Sequence, residues 1–312
     1  MPSLPSRLLP GVMRAIRRNR KYVHPTVAAE HIVASSLRPR PYGPPRRLRR
    51  DVTVTVEHSY GWPIYTLAPT AAEPQGSVLY VHGGGWVNEI VSQHWHLAAQ
   101  IAAEASTTVT VPIYPLVPRG TAEHVVSGVA DLVRAGNDRY GSTCLAGDSA
   151  GGQIALSAAI VLRDEHRLTV PRTVLISPAL DLSLTNPEID LVQPTDPWLG
   201  REGTRVFIDH WRADLALDDP RVSPLFADLQ GLGPLTLFAG TRDIIHPDTR
   251  LLVDKATAAG VDVDYHEGPG LLHVYPLTPT PEGRAARTVI VEQLRAARPV
   301  DPAAPTERGA QR

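Results

Sequence analysis

A serine with a glycine two residues away on either side constrains this chain more than any other feature in it. Gly147-Asp148-Ser149-Ala150-Gly151-Gly152 follows an apolar run and precedes an alanine-rich stretch. That spacing suits a strand-to-helix turn too tight for larger neighbours, with the serine hydroxyl left exposed for attack. The five-residue pattern alone arises by chance in roughly one chain in ten of this length, given about 7% glycine. A second loop, His82-Gly83-Gly84-Gly85-Trp86, is far rarer, since a histidine followed by three glycines arises by chance in only about a few chains per thousand. A glycine run lets backbone N–H groups approach a reacting centre and face a developing oxyanion. The two loops, in this order, imply acyl transfer through a serine ester.

Around these loops, short apolar runs alternate with helical stretches. Val52, Val54 and Val56 alternate with threonines, and Trp62–Leu67 resumes an extended run after a turn, which predicts a hairpin. Further strands are predicted at Ser77–Val81, Thr108–Tyr114, Thr143–Ala146, Arg172–Ile176, Leu235–Ala239 and Val261–Tyr265, with helices near 93–105, 122–134 and 149–163. The fold class is therefore α/β: a mostly parallel eight-stranded sheet with helices on both faces. The glycine loop follows the third strand and the serine follows the fifth, which is the placement of an α/β hydrolase. About fifty residues, 183–233, carry no strand pattern, and an insertion of that kind predicts a helical cap. Residues 11–37 read as helical with charges on one side and lead into a Pro-rich linker. Three regions result: a basic helical arm over 1–50 that joins the cap, a hydrolase domain over 51–298 with its cap insertion at 183–233, and a polar tail, 299–312, expected to be disordered.

At 312 residues and 43% hydrophobic, the chain can bury one large core. The net charge of −1 gives the molecule as a whole no electrostatic case for nucleic acid or membranes. The distribution is uneven, because residues 1–50 hold twelve Lys/Arg and one acid, Glu30. Such a block either contacts an anionic surface or is a solvated face that complements an acidic body, and the second is the plainer reading. Cys144 is the single cysteine, so no intramolecular disulfide forms. Arginines at 14, 17, 18 and 20 interrupt any signal-like stretch, and no apolar run reaches bilayer-spanning length, so a cytoplasmic protein without stable membrane insertion is expected. With no phosphate cradle, metal-ligand cluster or nucleotide fingerprint, no cofactor and no metal are expected either.

A serine hydroxyl needs a base, normally histidine, which a carboxylate orients in turn. The histidines after Ser149 are His166, His210, His246, His266 and His273. His273 is the best placed, in a loop with Gly268 and Gly270 beyond the last strand. For the acid, Asp243 follows the seventh strand and Gly240. Asp248 competes, but it follows Pro247 at a helix start, where the helix dipole already accounts for a carboxylate. His82 reads as an anchor for the glycine loop and Asp148 as a holder of the serine turn. Phe207, His210 and Trp211 recur at helical spacing and suit cap packing. Trp86, Phe207 and Trp211 are expected to wall the substrate pocket.

These motifs resemble the bacterial hormone-sensitive-lipase-like esterases, the GDXG lipolytic family, over about residues 50–298. The resemblance implies a serine carboxylesterase for short or medium acyl esters, with Ser149, Asp243 and His273 as the triad. It also implies an oxyanion hole made by the N–H groups of Gly83, Gly84 and Ala150, and pairing of the eighth strand into a homodimer. Its partner is a small-molecule ester. Alternatives on the same fold are a lactone or acylated natural-product hydrolase, or a ligand receptor similar to the plant gibberellin receptors, which lack the catalytic histidine that is present here. The chain departs from the family pattern at Tyr114-Pro115-Leu116-Val117-Pro118, at Asp243-Ile244-Ile245, and at Val274, where glycine often follows the histidine. No departure removes a catalytic atom.

Overall fold

The computed structural model describes residues 2–16, 19–71 and 73–297, so the tail expected to be disordered lies outside the described residues. Three short helices open the chain: α1 (Leu4–Ala15), α2 (Arg20–Val23) and α3 (Pro25–Leu37). The stretch read as helical over 11–37 is thus divided among three helices. A residue before proline is driven out of the helical region, and His24, ahead of Pro25, is extended at φ −111°, ψ 115°. A hairpin follows, β1 (Val52–Ser59) and β2 (Trp62–Pro69), and then alternating strands and helices: β3 (Ser77–Val81), α4 (Ser92–Glu104), β4 (Thr108–Pro112), α5 (Ala122–Tyr140), β5 (Thr143–Asp148), α6 (Ala150–His166) and β6 (Thr173–Ile176). The insertion holds α7 (Ile189–Val192) and α8 (Arg201–Arg212) before β7 (Leu235–Gly240), α9 (His246–Ala258), β8 (Val263–Gly268) and α10 (Pro281–Ala296).

The eight strands form one sheet in the order β1-β2-β4-β3-β5-β6-β7-β8. β1 pairs antiparallel with β2, and β2 with β4; all other pairings are parallel. Alternate residues of a strand point to opposite faces, and the core divides accordingly. Leu79, Val81, Leu145, Leu175 and Leu237 join the apolar cluster of α5, α6 and α8, whereas Val78, Tyr80, Val174 and Phe238 join that of α4 and α10. Because the central strands are buried on both faces, their sequences are nearly continuous apolar runs rather than alternating ones.

Most expected elements lie within a few residues of their predicted bounds. The largest difference is α5, which runs six residues past its expected end, to Tyr140; among the strands β8 shifts most, starting two residues late, because the Val261 N–H still donates to Ala256 O (2.9 Å) in the turn that closes α9. His266 and Glu267 therefore fall inside the edge strand. At the other end of the chain, α2 and α3 pack against α8, which joins the N-terminal segment to the insertion.

Candidate active site

β5 delivers Ser149 to the carboxyl edge of the sheet, where α6 begins. Ser149 has φ 54° and ψ −119°, a costly conformation for a residue with a side chain. The backbone around it is packed too closely for anything but glycine. A Cβ on Gly147 would lie 2.3 Å from Gly151 O, and one on Gly151 would lie 2.1 Å from Val81 O. The Ser149 N–H donates to Ile176 O (2.8 Å), which ties the turn to β6. Ser149 keeps partial exposure, while Asp148 and Ala150 on either side are buried. The glycines are thus what allow the hydroxyl to stand clear.

His273 Nε2 lies 2.9 Å from Ser149 Oγ, and its Nδ1 lies 2.7 Å from Asp243 Oδ2. Asp243 is fully buried, and its other oxygen accepts the Ile245 N–H (3.2 Å). Burial opposes charge on the His273 ring, but Asp243, assisted by Asp196 and Asp148, more than offsets it and raises the imidazole above its ordinary pKa. The remaining histidines after Ser149 are occupied or exposed. His246 pairs with Glu267 (2.7 Å), His266 with Asp264 (2.9 Å), and His166 and His210 lie exposed at helix ends. Asp248 accepts from Asn186 Nδ2 (2.7 Å) and has no bond to His273. Burial pushes its pKa up to about 6.

In the glycine loop, carbonyl contacts set where the N–H groups point, because a trans peptide holds C=O and N–H on opposite sides. His82 Nδ1 donates to Gly83 O (2.7 Å), which orients the Gly84 N–H. The His82 ring is fully buried, its pKa is lowered to about 4 by that burial, and it is stacked on Tyr114 at 4.5 Å. It is neutral and immobile, as an anchor needs to be. Gly84 O accepts from Val87 N (3.4 Å), Asn88 N (3.1 Å) and the Asn88 side-chain amide, which orients the Gly85 N–H. Gly84 itself has φ 131°, a conformation reserved for glycine. Gly83 differs from its expected role, because its N–H is taken by Asp148 Oδ1 (3.0 Å). The N–H groups of Gly84, Gly85 and Ala150 have no acceptor among the described residues. Asp148 also accepts from Tyr80 OH (2.6 Å) and faces His94 Nε2 at 3.3 Å, so it joins the serine turn to the glycine loop.

A family model described as the alpha/beta hydrolase fold matches residues 78–277, which hold this whole constellation. The chain belongs to the α/β-hydrolase family. It is 31% identical to an acetyl-hydrolase of Streptomyces hygroscopicus over 71% of this chain and 76% of that one. It is also 31% identical to a triacylglycerol lipase of Mycobacterium tuberculosis over 80% of its own length. It spans only 54% of that lipase, and 63% of an Acinetobacter venetianus esterase with which it shares 30% identity. Among solved structures, an esterase of the bacterial hormone-sensitive lipase family superposes with a TM-score of 0.77 at 27% identity, covering 95% of this chain and 99% of that one.

Within this hydrolase, Trp86, Phe207 and Trp211 are all buried, and the structure brings two of them together. Trp86 and Trp211 stack at 5.7 Å, and both indole N–H groups donate to Gln153 Oε1 at 3.0 Å. Phe207 instead meets the ring edge of Tyr22 from α2 at 5.8 Å. Two contributors had no signal in the sequence. Asp196, from the insertion, lies beside Asp243 and accepts from Trp198 N (2.7 Å), Leu199 N (3.0 Å) and Ile244 N (3.0 Å). Burial and the charge of Asp243 push its pKa well above the usual carboxylate range. Trp198 presents its edge to the His273 ring at 5.7 Å. Asn88 is the other. It is bonded by Lys21 and by His31 Nε2 (2.9 Å), and it donates to Tyr22 OH (3.2 Å), so α2 and α3 reach the glycine loop through one side chain.

Proposed function

We propose that this α/β hydrolase is a serine carboxylic ester hydrolase acting on short to medium acyl esters through an acyl-enzyme. The observation that carries the proposal is the hydrogen-bonded line Ser149–His273–Asp243 ending on a partly exposed hydroxyl. Ser149 attacks the ester carbonyl while His273 Nε2 takes its proton. Asp243 holds the imidazole and stabilises the imidazolium. His273 then protonates the leaving alcohol, and water, activated in the same way, releases the acid. The oxyanion faces the free N–H groups of Gly84, Gly85 and Ala150, and each such donor contributes about 2.7–4 kcal/mol to lowering the barrier. Gly83 acts one step back, locked to Asp148. The names of the relatives, acetyl-hydrolase, lipase and esterase, support the same chemistry.

In this proposal α2, α3 and α8 form the cap, and Trp86, Phe207 and Trp211 build the seam between cap and body that limits the acyl pocket. A homodimer through β8 belongs to the same reading, since β8 is an edge strand with unpaired backbone groups on one side. A panel of p-nitrophenyl esters of rising acyl length, together with mapping of a fluorophosphonate adduct, tests the central claim. Turnover that is highest for short or medium chains, with the label on Ser149 alone, is the expected result. A label elsewhere, or no turnover of any ester, overturns it. Light scattering that gives a monomer mass at micromolar concentration removes the dimer.

A further inference from the structure

The helix α1 contradicts the rule that folding hides apolar surface. Leu4, Leu8, Val12 and Ile16 recur every four residues and are 66%, 61%, 54% and 50% exposed. The buried side of the same helix is Ser6, Pro10 and Met13, about 150° around the helix axis from that stripe at 3.6 residues per turn. The orientation is held rather than loose. Glu282, at the start of α10, accepts from Ser3 N, Ser3 Oγ (2.8 Å) and Ser6 Oγ (2.7 Å), and so fixes the first turn of α1 with its apolar stripe outward. Exposed Arg7 and Arg14 lie along one border of the stripe. A second apolar pair, Val33 and Leu37, is 59% and 77% exposed on α3.

We infer that the N-terminal segment is a peripheral docking surface for an anionic lipid bilayer, with α1 lying in the interface plane. The argument comes from combining charge with the stripe. Twelve basic residues against one acid within the first fifty select an anionic partner. A nucleic acid would use that charge but leave the leucine stripe in water. A second copy of the chain would cover the stripe but bring one basic segment against another. A bilayer with anionic headgroups satisfies both features, because the stripe enters the acyl boundary while the arginines remain among the headgroups. At twelve residues α1 is too short to span, and no helix among the described residues is long and apolar enough to cross a membrane. The stripe and the charge block together thus select contact with an anionic surface, the reading that composition alone disfavoured.

The test is co-sedimentation of the full chain with large vesicles of phosphatidylcholine, alone or mixed with one third phosphatidylglycerol. Binding to the mixed vesicles should exceed binding to neutral ones by at least about tenfold, and most of it should be lost at 0.5 M salt. The double variant Leu8→Ser/Val12→Ser removes only exposed side chains. It should melt and turn over ester like the parent, yet bind the anionic vesicles at least about tenfold more weakly. Equal binding to both vesicle types overturns the inference, as does a stripe variant that binds like the parent. A dimer that becomes a monomer in the stripe variant also overturns it and assigns the face to a second copy.

Discussion

The carboxyl edge of the sheet and the N-terminal segment both depart from the rules that most of the molecule obeys, but in opposite ways. At the sheet edge the departure is conformational: Ser149 occupies a positive-φ position, and Val274, after His273, is left-handed at φ 48° although valine is β-branched. These conformations persist because their surroundings over-determine them. Val274 N, for instance, donates to Ser177 Oγ at 3.0 Å. In the N-terminal segment the departure is in solvation, with the apolar stripe of α1 turned outward. Strain held rigidly serves chemistry, which needs atoms placed within tenths of an ångström, whereas exposed apolar surface serves association.

The largest effect that could break this contrast is expected at Asp243. Asp243→Asn leaves the packing intact but removes the charge that holds the imidazolium, so kcat should fall by up to about four orders of magnitude. Steady-state kinetics on an aryl ester decides it, and a loss below tenfold would remove Asp243 from the acid's role. Next is Asn88→Ala, which cuts the link between the two regions. With one of the three donors to Gly84 O gone, the Gly85 N–H is less firmly aimed, and kcat should fall about tenfold with KM nearly unchanged, less than the loss of a whole oxyanion donor. A change in KM alone would make Asn88 a pocket residue.

Smaller still is Asp196→Asn. His273 must be neutral to accept a proton, so activity falls as pH drops through its raised pKa, and Asp196 contributes to that rise. The acid limb of kcat/KM should therefore move to lower pH in the variant, and a limb that stays in place or moves up would refute the coupling. The smallest catalytic effect is expected at Asp248→Asn, with kcat within a few-fold of the parent. Its signature is in stability. The folded carboxyl holds its proton up to about 6 whereas an unfolded one loses it near 3.8, so the folded state binds more protons between those values and loses stability as pH rises across them. Melting temperatures should show the parent losing ground to the variant from pH 4 to pH 7. Parallel curves would mean that Asp248 is not the buried carboxyl described above.

Legibility in the sequence follows the same division. The serine turn could be read because close backbone packing leaves glycine no substitute at Gly147 and Gly151, and the central strands could be read because strands buried on both faces are apolar throughout. His273 and Asp243 followed from their positions after β8 and β7. Three consecutive glycines are identical in the sequence, and only the contact of the Gly83 N–H with Asp148 distinguishes the first of them. Asp196 and Asn88 left no trace because their roles depend on what the folded chain brings near them, across 47 residues to Asp243 in one case and 57 to His31 in the other. The bounds of the helices within the arm could not be read, because periodicity does not register what Pro25 does to the residue before it.

The shared oxygen of Gln153 makes the hydrolase its own optical gauge. Trp86 belongs to the glycine loop and Trp211 to α8, and the two indoles meet only while α8 sits on the body. Any excursion that lifts α8 separates the pair, wets both rings and frees two N–H groups at once. Such an excursion should therefore appear as a red shift in emission and a loss of exciton signal in near-ultraviolet dichroism. Any such movement of α8 can thus be followed in the unlabelled protein, in the same cuvette and on the same sample in which turnover is counted.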